Sequence, residues 1–336
     1  MSSPRLFALA TLGRLTLRPA RVCAPMALYT HSAFRRLLAE LGGCGAVWTE
    51  MLAARRLLCE DFHTSPWLKR RPHEGLVVYQ LMARPGDPLE RVLGRMAEHG
   101  VQAVDLNLAC DAHNIRAMAS GSALWDDWEG LRQVVRQMRA AWPGWFSVKI
   151  RLGHRRDGWQ EAFRERLKFL EEAGVDAVVL HARFFEDKYR RPAQWQWIPW
   201  AAGLTRLPLI ANGDLQSAGQ VESLREWLAP ARAIMLGRMA VVCPWVFAHW
   251  ERPQPVDYAA VWERYCDYVE EDFPPRPALR RIQAFARYYA LHFLYGHQFQ
   301  TTLGRMATVA EARAYARDFL GRGPALNRTL LLGGLR

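Results

Sequence analysis

Apolar runs of strand type return eight times in the first 240 residues, with helical patterns between them. They are Val22–Ala24, Ala46–Thr49, Leu76–Leu81, Ala103–Leu108, Ser147–Arg151, Ala177–His181, Pro208–Ala211 and Ala233–Leu236. Successive starts lie mostly 24–31 residues apart, with one longer gap before Ser147. Between them, Leu89–His99 and Trp159–Ala173 carry apolar residues at steps of three and four and are followed by Gly100 and Gly174. Glycine closes a helix at little steric cost, so both read as helices with a stop signal. Strands and helices alternating at this interval predict an α/β fold of the (β/α)8 TIM barrel type. The rival, a doubly wound sheet, places a glycine-rich phosphate loop after its first strand. The segment CAPMALYTHSAF, beginning at Cys23, contains no glycine.

Upstream, LATLGRLTLRPARV reads as a hairpin about Gly13 that leads into Val22 and plugs the bottom of the barrel. Residues 1–21 lack acids and carry several Arg, as transit peptides do, but the hairpin accounts for them. The expected barrel spans 22–250. After the proline-rich ERPQP, the stretches Val256–Asp272, Ala278–Tyr295 and Val309–Leu320 read as helices, which predicts a small all-α domain over 255–336.

The chain carries 45 basic and 33 acidic residues, a net charge of +12. Such a surface favours a polyanionic partner. One stretch of the tail, 273–310, holds no acid but includes Arg276, Arg280, Arg281 and Arg287. At helical spacing, Arg280, Arg287 and either Arg276 or Arg281 share one face. Six scattered cysteines show no CxxC pair, which argues against structural zinc and for reduced thiols in a cytoplasmic protein. No apolar run reaches the roughly 18–20 residues of a membrane span. A monomer is expected.

In a barrel of this kind the site lies at the carboxyl ends of the strands. The residues closing the runs are Pro25–Met26, Thr49–Glu50, Gln80, Asn107 with Cys110, Lys149 with Arg151, His181 with Arg183, Asn212–Gly213–Asp214 and Gly237–Arg238. Polar groups at nearly every strand end are costly inside an apolar core, so together they imply a polar pocket. Lys149 stands inside the strand FSVKIRLG, in a chain that otherwise uses Arg almost throughout. A buried lysine needs an anionic or carbonyl partner, either Glu50 or Asp105 in a salt bridge or an electron-accepting ring. The ANGDL and LGRMA turns supply glycines, backbone N–H groups and Arg238 where such barrels bind phosphate. Amide acceptors, a lysine, a histidine and a phosphate cradle suit flavin mononucleotide (FMN).

APMA (24–27), TEM (49–51), QLMARPGDP (80–88), VDLNLAC (104–110), GSAL (121–124), VKIRLG (148–153), VVLHAR (178–183), ANGDL (211–215) and LGRMAVVCPWVF (236–247) follow in this order. The series resembles the tRNA-dihydrouridine synthases, over residues 10–250 and more loosely through the tail. That resemblance implies an FMN- and NADPH-dependent reduction of the C5–C6 double bond of uridine in tRNA. The base is expected to flip out of the RNA fold onto the flavin. Hydride is then delivered to C6, and a cysteine supplies the proton to C5. Cys110 falls at the position of that cysteine. An ordinary thiol is protonated at neutral pH, as a general acid must be.

Glu50, Arg116, Arg183 and Tyr189 are expected at the RNA rim, and the acid-free run adds Arg276, Arg280, Arg281 and Arg287 on the tail. The family usually reads Gly-Cys-Pro where this chain has Ala109-Cys110-Asp111. The usual loop lysines are absent, and His113 and Arg116 are the available substitutes. Past His181 come Arg183-Phe184 and Ala193-Gln194-Trp195 in place of Arg-Thr and Ala-Asp-Trp. Two other functions stay open: an FMN barrel reductase of a small molecule, and an RNA-binding protein that has lost reduction.

Overall fold

The computed structural model describes residues 6–327 and 329–330, and the expectations for residues 1–5, 328 and 331–336 lie outside the described residues. Eleven strands are present among the described residues. They are β1 (Ala10–Leu12), β2 (Leu15–Leu17), β3 (Arg21–Cys23), β4 (Ala46–Trp48), β5 (Leu52–Ala53), β6 (Val77–Met82), β7 (Ala103–Asn107), β8 (Trp145–Arg151), β9 (Ala177–His181), β10 (Leu209–Asn212) and β11 (Ala233–Leu236).

Strands β3, β4, β6, β7, β8, β9, β10 and β11 pair in parallel in that order, and β11 returns to β3. The eight-stranded ring is therefore closed, as the strand interval predicts. Each expected run matches one barrel strand within two residues at either end. The short β5 pairs with β6 beyond the ring and is not signalled by any apolar run.

Helices on the outside follow from local signals. Gly100 and Gly174 take positive φ (71° and 78°) and end their helices. There the N–H groups of Val101 and Val175 return to Met96 O and Leu170 O. The long gap before β8 is filled by His113–Arg116, Ser122–Asp126 and Trp128–Ala141. Asp127 caps the last of these, accepting from Gly130 N at 3.0 Å.

The hairpin β1–β2 seals the amino ends of the strands. Leu12 and Leu17 are buried, and Leu12 O accepts from Trp145 Nε1 at 2.8 Å. Gly13, at φ 60°, lies so close to Asp176 that a Cβ would fall 2.9 Å from its Oδ1.

Among the described residues the tail forms four α-helices: Tyr258–Asp272, Pro275–Tyr289, Gly296–Leu303 and Val309–Gly321. The expected helix to Tyr295 stops at Tyr289, and Gly296–Leu303 is additional. A Cβ on Gly296 would overlap Ala290 O, so the chain turns sharply where only glycine fits. The apolar core runs from the barrel into the tail without a break. Phe34 packs on Phe285 and Tyr29 on Tyr288, with centroids 6.4 and 5.0 Å apart.

Asp272 fastens this junction. Its buried carboxylate meets Lys69 Nζ at 2.5 Å and Arg71 Nη2 at 2.9 Å, and it accepts from Ser32 Oγ. Burial alone raises its pKa; the bonds from Arg71, Lys69 and Ser32 outweigh burial and hold it below the ordinary value. This stabilisation is present above the ordinary carboxylate range and is lost as pH falls through the lowered folded value. Asp272→Ala is expected to cost about 3 kcal/mol, as removing one partner of a buried pair does. The cost should appear as a lower urea midpoint at unchanged m near pH 7, and should shrink on acidification.

Candidate active site

Register in the barrel brings polar side chains to common levels. Gln80 pairs with Asp105 and Asp105 with Ser147 across β6, β7 and β8. One level up, Asn107 pairs with Lys149. Above that, Arg151 pairs with His181 and His181 with Asn212. Ser147, Lys149 and Arg151 alternate along β8, so all three share one face.

At the lowest level Asp105 is fully buried and accepts from Gln80 Nε2 at 2.7 Å and from Ser147 Oγ. Burial pushes its carboxyl up to about 7, against those bonds and the nearby Lys149. Gln80 Oε1 in turn accepts from Asn107 Nδ2 at 2.9 Å. The Gln80 amide thus spends one donor and one lone pair inside the protein and retains one of each. Asn107 Oδ1 accepts from Ala109 N at 3.1 Å and Cys110 N at 3.0 Å. The strand end therefore dictates where the half-buried Cys110 begins its loop. Cys110 O accepts from Ser122 N at 2.9 Å, and Gly121 lies against it where a Cβ would be 2.4 Å away.

Lys149 is buried, and burial with Arg151 lowers its ammonium to about 8 against the opposing Asp105 and Cys110. Asp105, not Glu50, is the carboxylate acting on it. The His181 imidazole is held well below its ordinary value by burial and by Arg151, Lys149, Arg183 and Arg238. It is neutral, and Arg183 Nη1 lies 2.8 Å from its Nε2. Arg183 can only donate, so Nε2 accepts and the ring proton sits on Nδ1.

Asp214, at φ 52°, collects two of these cations. It bonds Arg183 Nη2 at 2.5 Å, Arg238 Nη2 at 2.6 Å and Ala193 N at 2.9 Å. The Tyr189 ring lies 5.0–5.8 Å from the guanidinium carbons of Arg151, Arg183 and Arg238. Asn212 Nδ2 donates to Met235 O at 2.8 Å. Gly213, at φ 125°, abuts Ala193 and His181, where a Cβ would be 2.8 and 3.1 Å away. Gly237 faces Met26, whose Sδ would be 3.3 Å from a Cβ, and Pro25 precedes it on the same half-buried turn.

Several expected RNA contacts have other roles. Glu50 is buried, accepts from Leu28 N at 2.9 Å and has its carboxyl raised by burial. Arg281 is also buried, with its guanidinium carbon 4.0 Å from the Phe273 ring centroid and Glu50 acting on its charge. Both are enclosed at the barrel–tail junction. Arg183 is 2% exposed and committed to Asp214, His181 and Arg191 O. Arg116 is engaged with Asp111, Ser122 and Asp126. The Asp214 carboxylate oxygens are spent on Arg183, Arg238 and Ala193 N. Tyr189, Arg276, Arg280 and Arg287 are exposed. Burial raises the Tyr288 phenol, and Arg238, Tyr189 and Arg287 all act on it, so the tail helix Pro275–Tyr289 reaches the barrel mouth.

Arg151 was readable as a strand-end residue yet carries more weight than the sequence assigns it. Its Nε is buried and has no hydrogen-bond partner. Its alternation with Lys149 along β8 is the signal that marks it.

Solved structures with this fold include the old yellow enzyme homologue of Zymomonas mobilis, with a TM-score of 0.53 at 13% identity, covering 79% of this chain and 99% of that one. Morphinone reductase matches with a TM-score of 0.53 at 12% identity, over 74% and 90%. The shared architecture is the TIM barrel. The family model for dihydrouridine synthase (Dus) matches residues 22–320, and the chain belongs to that family of flavin-dependent oxidoreductases. Curated relatives include tRNA-dihydrouridine synthase B of Pseudomonas putida, 27% identical over 95% of this chain and 90% of that protein. The protein of the same name in Escherichia coli K12 is 25% identical over 92% and 99%.

Two substitutions test the polar levels. Asn107→Ala leaves the buried Ala109 N–H and the Cys110 N–H without an acceptor and is expected to cost about 1–3 kcal/mol in chemical denaturation. The folded pKa of Asp105 lies above its unfolded value. Its contribution is therefore complete at acid pH and is lost as pH rises through about 7. Asp105→Asn removes this titration. Wild-type stability should fall relative to the variant from pH 5 to pH 8, whatever constant offset the lost acceptor adds.

Proposed function

We propose that this protein reduces uridine in tRNA to dihydrouridine with FMN and NADPH, as a monomer in the cytoplasm, and that Cys110 is the proton donor. The observation that carries the reading is the placement of Cys110. A strand-end asparagine fixes its backbone beside a lysine at the cationic mouth of a dihydrouridine-synthase barrel.

The mouth has the chemistry of a flavin phosphate site. Lys149, Arg151, Arg183 and Arg238 all act on His181, and Asp214 balances only part of that charge. The buried Arg151 Nε lacks a partner, and Gly213 and Gly237 sit where a side chain has little or no room. Lys149, His181 Nδ1–H, the spare Gln80 and Asn212 amide groups, Arg238 and the backbone at Gly213 and Gly237 are the groups that would hold FMN, with Pro25 and Met26 beside Gly237. When bound, FMN supplies the hydride that reaches C6 of the base.

The chain's own part is orientation and the proton. Lys149 favours negative charge in the pocket. The neutral His181 donates through Nδ1 without adding charge. Cys110 Sγ gives its proton to C5, and Asn107 holds the loop from which it does so. Exposed Arg276, Arg280 and Arg287 stand on the tail helix that reaches the mouth at Tyr288 and would meet phosphates of a folded RNA. Such a base must leave its stack to reach the pocket.

Purified protein is expected to show flavin absorption bands, and Lys149→Ala to lower flavin content or reducibility. Cys110→Ala should retain FMN and NADPH oxidation while dihydrouridine formation falls by roughly 10²–10⁴, the scale of general acid catalysis. Turnover of small enones with no dihydrouridine in any RNA would replace this reading with a small-molecule reductase. Flavin retention with neither activity would indicate an RNA-binding protein. Arg276→Ala with Arg280→Ala should flatten the log–log salt dependence of RNA binding by up to about two units and leave flavin content unchanged.

A further inference from the structure

The loop that carries Cys110 is fastened by charge to two other mouth loops. Arg116 Nη1 bonds Asp111 Oδ1 at 3.2 Å, Ser122 Oγ at 2.7 Å and Asp126 Oδ2 at 3.3 Å. Asp126 Oδ2 lies 3.1 Å from His154 Nε2, and His154 Nδ1 lies 2.6 Å from Glu186 Oε1. Asp111, Arg116 and Asp126 follow β7, His154 follows β8 and Glu186 follows β9. Five alternating charges thus join three successive strand-end loops. The carboxylate next to Cys110, where the family usually has proline, is the first of the five.

We propose that His154 is a positioning residue for Cys110: as an imidazolium between Asp126 and Glu186 it ties the β8 and β9 loops to the loop that presents the thiol. The consequence for catalysis rests on Cys110 as proton donor; the tie itself does not. A neutral imidazole has one N–H, so it can donate to only one of two carboxylates and turns a lone pair toward the other. Both contacts of His154 are favourable only when the ring is protonated.

Other groups face the same ring and carboxylates. The Phe185 ring packs 5.0 Å away, and Arg155 N donates to Glu186 Oε2 at 3.2 Å. The Arg155 guanidinium is engaged by Asp187, while Arg116 shares Asp126 Oδ2 with His154, Arg166 also acts on Asp126, and Arg156 acts on Arg166. Burial lowers the His154 pKa, but the bonds to Glu186 and Asp126 outweigh it and raise it above 6.5. A raised histidine contributes fully below its ordinary value, and the contribution is lost as pH rises through the folded value. The tie is therefore strongest at mildly acid pH.

The test is hydrogen exchange of the peptide 108–126 in the full-length protein, corrected for intrinsic rates, from pH 6 to pH 9. At pH 6, His154→Ala and the half-exposed Glu186→Gln should speed exchange about two- to fivefold, the scale that partly exposed ion pairs supply. His154→Arg keeps the charge at every pH and should restore protection. Wild type should approach His154→Ala as pH rises, while His154→Arg stays protected. Equal exchange in wild type and His154→Ala at pH 6, or no rescue by Arg, overturns the tie. In single turnover, His154→Ala should slow dihydrouridine formation with NADPH-driven flavin reduction unchanged, and His154→Arg should recover it. Faster exchange with an unchanged dihydrouridine rate overturns the positioning role. If wild type itself forms no dihydrouridine, the proposed function falls, and the exchange measurements still decide the tie.

Discussion

One hydrogen-bonded register, carried from β6 through β10, decides where the polar side chains of the mouth point. In a closed parallel ring, residues opposite one another across neighbouring strands face the same side. Gln80, Asp105 and Ser147 therefore meet, Asn107 meets Lys149, and Arg151 meets His181 and Asn212. A slip of one residue in any strand sends its polar set out among the helices and its apolar set into the mouth. The buried Asp105 makes such a slip costly, because it would lose Gln80 and Ser147 together.

Electrostatics above that level follow from the same packing. Four cations surround a neutral histidine, and the protein supplies Asp214 and the face of Tyr189 against them. Asp214 keeps Arg183 and Arg238 in place, and Tyr189 covers three guanidinium groups where they approach solvent. Positive potential is thus built into the mouth by covalent order, and an anionic ligand is the natural complement.

The tail is welded to the barrel, not tethered to it. Asp272, Arg71, Lys69 and Ser32 close one side of the junction, and Tyr29, Phe34, Phe285 and Tyr288 close the other. Glu50 and Arg281 are enclosed there. The exposed Arg276, Arg280 and Arg287 consequently stand on a helix held fixed against the barrel.

The sequence by itself determined the ring of eight strands, since the strand interval and the glycine stops are local signals written along the chain. It also marked Lys149, His181, Asn107 and Cys110, because polar residues that end apolar runs in a barrel must face its mouth. What it left undecided depends on partners distant in sequence. Arg276, Arg280 and Arg281 are equally basic in one helix, and only packing against Phe273 and the Glu50 loop buries the third. Arg183 and Arg116 are equally plausible RNA contacts until Asp214 and Asp126 arrive from 31 and 10 residues away. His154 and Glu186 have no motif at all. Their meaning comes from three loops converging at one end of the barrel, which tertiary structure alone brings about because strand closure, not local propensity, sets the distance between loops.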